Sequence, residues 1–281
     1  MKKLFSLLFV IVFVIAAFPA IVSAQGHKLV KKWETDSVLK VPESVLYDAK
    51  GQQLYVSNID GKDPGAKDGI GSVGKVGLDG KIIKVDWVTG LNSPKGLGLF
   101  GDLLYVADVD QVAVIDTKKA AVIQRIPVPG AVFLNDITVD KKGVVYVSDT
   151  RTNKVHRVEK GVVTTFLENL QGPNGLLADG DDVYVLCSGT LFKAGQDRKL
   201  TKIADGMESS TDGLEHANSK DFIVTAWAGS IWYVKADGSK EHLLDTQQQK
   251  INSADIGYDE KNRIVYVPTF WKNSIVAYEL K

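Results

Sequence analysis

Pro173-Asn174-Gly175-Leu176-Leu177-Ala178-Asp179-Gly180-Asp181-Asp182-Val183-Tyr184-Val185 decides the fold. It contains a short lead-in, a strand, an Asp- and Gly-rich turn whose residues tolerate positive φ, and a second strand ending in a Tyr-Val pair. The same unit recurs along the chain. Pro42-Glu43-Ser44 leads to Leu54-Tyr55-Val56, Pro94-Lys95-Gly96 to Leu104-Tyr105-Val106, and Leu134-Asn135-Asp136 to Val145-Tyr146-Val147. Two looser copies run from Thr211-Asp212-Gly213 to Phe222-Ile223-Val224 and from Ser253-Ala254-Asp255 to Val265-Tyr266-Val267. A repeat of roughly forty residues, with two further strands between successive units, is the signature of stacked four-stranded blades.

The sequence therefore predicts an all-β, six-bladed β-propeller. Hairpins at Asp79-Gly80 and Asp237-Gly238 join the outer strands. Only one strand, around Ile275 to Leu280, follows the last Tyr-Val pair, while His27 to Thr35 is a strand-like segment ahead of the first repeat. The expectation is that this N-terminal strand completes the last blade, closing the ring and covering sheet edges that would otherwise invite aggregation.

Lys2 and Lys3 precede an apolar run from Leu4 to Ala17, and Val22-Ser23-Ala24 offers small residues before Gln25. This reads as a secretory leader over residues 1–24, with Pro19 and the small-residue end arguing against an uncleaved anchor. Residues 25–281 then form one exported domain, periplasmic or secreted, with no membrane contact after cleavage. Cys187 is the single cysteine, so no intramolecular disulfide can form, and it reads as a packed thiol.

The formal charge of the whole chain is zero, and basic residues are scattered among acids. The clustered positive patch that nucleic-acid binding requires is missing from the pattern. Gly69-Ile70-Gly71-Ser72-Val73-Gly74-Lys75-Val76 imitates a phosphate-binding loop, but Val76 stands where a Ser or Thr would hold Mg²⁺ and Gly77-Leu78-Asp79-Gly80 continues as a hairpin. Without a helix N-terminus no phosphate cradle forms, so nucleotide is not expected. The segment reads instead as a loop over the channel mouth.

Each lead-in begins the inner strand of its blade, so the middle residues converge at one mouth of the channel: Glu43, Lys95, Asn135, Asn174, Asp212 and Ala254. Four of them present a carboxylate or amide oxygen. Glu43, Asn135, Asn174 and Asp212 thus form a candidate site for a hard divalent cation, Ca²⁺ foremost, with Mg²⁺, Mn²⁺ and Zn²⁺ as alternatives. Against this stands the use of Asn, Asp and Gly simply as turn formers, although Glu43 is a poor turn residue. Trp87, Trp227, Trp232 and Trp271 fall in strand-like segments and read mostly as packing residues, with Trp227 a candidate for the mouth.

These motifs resemble the senescence marker protein (regucalcin) and gluconolactonase family of lactonases, with paraoxonase and diisopropylfluorophosphatase as more distant relatives. The resemblance spans nearly all of residues 25–281. It implies that Glu43, Asn135 of Asn135-Asp136, Asn174 of Pro173-Asn174-Gly175 and Asp212 of Asp212-Gly213 hold the ion. It further implies hydrolysis of a small-molecule lactone or related ester, with Asp212 as base or nucleophile and Asp136 as a second catalytic candidate or a loop anchor. Sugar-lactone members carry an Arg two residues before the Asn of the Asn-Asp pair, where this chain has Phe133. A more apolar substrate is expected, with Phe133 and Lys95 as substrate-binding candidates and Lys95 paired either with Glu43 or Asp212 or with an anionic ligand group. The competing expectation is a non-catalytic propeller that binds a protein, peptide or glycan and uses the ion as a brace.

Overall fold

A computed structural model describes residues 26–281, and the leader read over residues 1–24 lies outside them. The described chain is a ring of six antiparallel four-stranded sheets, five of which run outward from the channel in sequence order. The inner strands are Pro42–Asp48, Pro94–Phe100, Leu134–Val139, Pro173–Asp179, Thr211–His216 and Gly257–Asp259. Five of the six lead-in motifs open these strands. In blade six Ala254-Asp255 precede the strand, and Asp255 bridges to Ser44 of blade one.

Closure follows the expected route. Leu29–Glu34 pairs antiparallel with Ile275–Leu280 at the outer edge of blade six, so the blade is built from both ends of the chain. Reciprocal backbone bonds between Lys28 and Lys281, at 3.0 and 2.9 Å, fasten its end. Trp33 packs on Tyr266 with ring centroids 5.8 Å apart, and His27 stacks on Tyr233 at 3.7 Å. Deleting residues 26–35 is expected to cost about 4 kcal/mol from the lost Trp33 and Leu29 packing alone, and to leave Ile275–Leu280 as an open edge. Thermal unfolding combined with size-exclusion chromatography checks this: a monomeric deletion variant with an unchanged midpoint would show that the strand is dispensable.

The apolar residues of each inner and second strand pack against the next blade, producing a core at every interface. Between blades three and four, for example, Tyr146, Val155 and Phe166 meet Leu176, Val183 and Val185. Cys187 is buried in that core and burial pushes its thiol up to about 12, which matches a packed thiol and not a nucleophile. The phosphate-loop imitation is a blade strand, Gly71–Gly77, and not a loop over the mouth. The segment that does reach the mouth is the one before it, residues 59–70, of which Ile59 and Pro64 line the cavity.

Candidate active site at the channel mouth

A local irregularity places the candidate side chains. Where the inner strand starts, its pairing register slips between Pro94 and Leu97, Leu134 and Ile137, Pro173 and Leu176, and Thr211 and Leu214. Blade one has a smaller slip between Pro42 and Ser44. These bulges release Glu43, Lys95, Asn135, Asn174 and Asp212 from the ladder, which is how bulges commonly redirect side chains beside a site. The amides so freed are satisfied from the second strand: Ser57 Oγ accepts from Ser44 N at 2.9 Å, Ser148 Oγ from Asp136 N at 2.9 Å, and Thr225 Oγ1 from Gly213 N at 2.7 Å.

The glycine that follows the redirected residue is not a turn glycine. Gly96, Gly175 and Gly213 have no positive φ, unlike Gly80 and Gly238 at the hairpins. A Cβ on Gly96 would lie 2.5 Å from Asp136 Cα, one on Gly213 would lie 2.6 Å from Ile256 N, and one on Gly175 would overlap the Asp212 carbonyl oxygen. The inner strands of adjacent blades approach too closely for any side chain there. The turn-former explanation for these positions is thereby replaced by an inter-blade one.

Glu43, Lys95, Phe133, Asn135, Asn174 and Asp212 line one cavity of about 400 Å³, together with Ile59, Pro64, Ser210, Trp227, Phe270 and Trp271. That size lies in the range of small-molecule sites. Its floor is polar. Asn174 Nδ2 donates to Asp212 Oδ1 at 3.0 Å and to Thr211 O at 3.3 Å, while Asn135 Nδ2 donates to Thr150 Oγ1 at 3.1 Å. Glu43 Oε2 and Asn174 Oδ1 are buried without any hydrogen-bond partner. Burial, then the charges of Asp212 and Asp255, drives the Glu43 carboxyl well above its usual range. Asp212 is likewise raised, by burial and then by Asp255, with the Asn174 bond opposing. Ala254, the sixth ring position, faces Ile59 and Phe270 in a small apolar cluster.

Lys95 departs from the ion-pair expectation. No carboxylate oxygen lies within 4.0 Å of its ammonium among the described residues. It donates to Ser93 O at 2.9 Å and sits 4.4 Å from the centroid of the Phe133 ring. Burial pulls it down to about 8, against the opposing pull of Glu43 and Asp108. Arg151, which nothing in the motif pattern singles out, lies 4.3 Å from the same ring.

Asp136 is not brought to the mouth. It lines a lower cavity of about 170 Å³ with Glu215 and Asp255, and its Oδ1 and Oδ2 accept from Ile137 N and Leu176 N, each at 2.6 Å. Its geometry is that of an anchor between blades three and four. Asp255, missed in the sequence because its neighbour Ala254 is inert, accepts from Ser44 Oγ at 2.5 Å and ties blade six to blade one. His216 packs among Phe222 and Tyr184 near Asp179, at the far end of Asp212's strand.

The tryptophans divide. Trp87 packs on Tyr55 and Trp232 on His242. Trp227 and Trp271 instead lie in segments between strands, and with Phe270 form an edge-to-face trio at 5.5 and 4.8 Å that walls the mouth. They remain 38% and 47% exposed, which marks them as a surface awaiting contact and not as core. Among the described residues no three His, Cys, Asp or Glu side chains gather as a metal-binding group. The ring at the mouth mixes two carboxylates with two amides.

No protein-family model matches the chain, and no curated protein is similar to it in sequence. Solved structures are similar in fold. Streptogramin B lyase matches with a TM-score of 0.67 at 11% identity, over 91% of this chain and 98% of that one. A catalytically inactive variant of virginiamycin B lyase from Staphylococcus aureus, with quinupristin, matches at 0.63 and 14%, over 91% and 99%. The nidogen/laminin complex matches at 0.63 and 18%, over 78% and 84%. At such identities the likeness carries the propeller architecture and nothing more specific.

Proposed function

We propose that the mouth cavity holds a divalent cation, Ca²⁺ foremost, on Glu43, Asn135, Asn174 and Asp212, and that the protein hydrolyses a lactone or related ester there. The observation that carries this reading is the pair of partnerless buried oxygens, Glu43 Oε2 and Asn174 Oδ1, on the same cavity floor as Asp212. Buried acceptors without donors are costly, and hard cations coordinate carboxylate and amide oxygens, so these residues fit such an ion. When bound, the ion would neutralise the two carboxylates and act as a Lewis acid toward a carbonyl oxygen.

The chain's own residues supply the rest. Asp212 has Oδ1 engaged by Asn174, leaving Oδ2 to take a proton from the water that attacks the carbonyl and to return it to the leaving oxygen as the acyl C–O bond breaks, or to attack the carbonyl itself, expelling that oxygen to leave an acyl-aspartate that water then cleaves. Phe133, Trp227, Phe270 and Trp271 pack the substrate's apolar part and exclude water, while Lys95 offers donors to a substrate oxygen. Asp136 holds the blade backbone and has no part in the reaction. We further propose that residues 1–24 are removed on export.

A panel of aliphatic, aromatic and sugar lactones with aryl esters tests the reading on ion-loaded protein. Turnover of apolar lactones above sugar lactones, abolished by chelator and restored by Ca²⁺, is the expected result. Absence of turnover across the panel by protein that binds Ca²⁺ would sink the hydrolase and favour a binding propeller braced by its ion.

A further inference from the structure

Lys95 is the most deeply buried cation at the mouth, 1% exposed, and one of the largest fully buried side chains in the protein. An ammonium carries three donors. One goes to Ser93 O, the Phe133 ring covers another flank, and no other described protein atom accepts from it. A buried donor without an acceptor costs free energy in the same way as the orphan oxygen of Glu43. Lys95 and Glu43 border one cavity yet are not paired, so a ligand group can be seated against the ammonium without displacing an ion pair. The same cavity is walled by Trp227 and Trp271, both partly exposed, and by the buried ring of Phe270. Other charged groups that act on the Lys95 site are Glu43, Asp108, Asp63 and Arg151. Asp108 is engaged by Asn92 N, Ser93 N and Gln111 Nε2, which leaves it no free role as a counter-ion.

We propose that the cavity takes a small amphipathic carboxylate, its charged group hydrogen-bonded to Lys95 and its aryl or alkyl body packed against Trp227, Phe270 and Trp271. This deepens the reading of the mouth as a site for an ester or lactone: with a divalent ion on Glu43 and Asp212, Lys95 leaves the floor one positive charge in excess, which suits an anion. The ligand class is then an ester or lactone bearing a carboxylate, or the acid released from it.

The test compares 3-phenylpropionate with 3-phenyl-1-propanol, matched in apolar body, by calorimetric titration and by quenching of the mouth tryptophans. A parallel Ca²⁺ titration fixes the ion state in which the comparison is made. A charge-assisted hydrogen bond predicts a preference for the acid of about tenfold or more. Lys95→Met should abolish that preference while leaving affinity for the alcohol within about twofold. Trp271→Ala should weaken both probes together and keep the preference. Equal binding of the two probes to the unsubstituted protein, failure of both to bind, or an acid preference retained in Lys95→Met each overturns the proposal. The probe pair decides even if Lys95→Met fails to fold. Failure to bind Ca²⁺ overturns the ion reading instead, and the acid preference is read separately from it.

Discussion

Gly175→Ala is expected to destabilise the protein by about 3 kcal/mol or more, at the upper end of the overpacking range. For a domain of this size that corresponds to a fall of roughly 6 to 12 °C in the unfolding midpoint. The added methyl would overlap the backbone carbonyl of Asp212 and press on Leu186 Cδ1 at 2.8 Å. A backbone oxygen within a blade cannot rotate away as a side-chain tip can, so the inner strands of blades four and five must separate. That separation carries Asp212 with it, and in the proposed role of Asp212 as base or nucleophile a displacement of about an ångström is worth about 100-fold in rate. Loss of stability and loss of the proposed hydrolysis should therefore appear together. Gly61→Ala is the control, since its added Cβ meets only Ile70 Cδ1 at 3.9 Å, and it should stay within about 0.5 kcal/mol of the parent. Calorimetric unfolding of both variants checks the contrast, and equal midpoints would mean that the inter-blade contact yields freely.

Gly175 also shows what the sequence reveals and what it hides. The propeller was legible because its determinants are local and repeated: a lead-in, a turn and a Tyr-Val pair recur with one period, and the unpaired strand at each end of the chain implies the closure seen between Leu29–Glu34 and Ile275–Leu280. The mouth ring was legible for the same reason, since equivalent positions in equivalent blades must converge. The reason for glycine after the ring residue was not legible, because the atom it avoids belongs to the next blade about forty residues on. Local reading supplied a turn where packing supplies a contact. Trp271 was hidden for a related reason. Its short 3₁₀ segment, Phe270–Lys272, is too brief to leave a periodic pattern, and its neighbours Val267 and Ile275 suggest continuous strand. Asp136 was over-read because adjacency to Asn135 in sequence does not survive the bulge, which sends the two side chains to different levels of the channel.

Glu43→Gln and Asp212→Asn should each have two effects of opposite sign. Both substitutions keep side-chain volume and remove one buried negative charge. In ion-free protein the Glu43 and Asp212 carboxyls on the floor of the mouth each feel the charge of Asp255 below them, and Lys95, although it acts on Glu43, is too far away to form an ion pair. Burial raises both carboxyls, so holding either one costs the ion-free fold free energy whether it stays ionised or takes up a proton, and a neutral isostere that escapes this cost is expected to stabilise that fold by about 1–3 kcal/mol. With the ion the order reverses. A hard divalent cation draws its affinity from ligand charge, so loss of one of two carboxylates should weaken Ca²⁺ binding by about 100-fold or more. The same change in Asp212 should remove hydrolysis even where enough Ca²⁺ is added to fill the site, because Oδ2 no longer accepts a proton, whereas Glu43→Gln should recover part of its activity at high Ca²⁺. Thermal unfolding with chelator and with Ca²⁺, beside turnover at saturating ion, separates the outcomes. If Glu43→Gln lowers stability in chelator and leaves Ca²⁺ affinity unchanged, the buried Glu43 carboxylate is an ordinary structural acid and the ring is not an ion site.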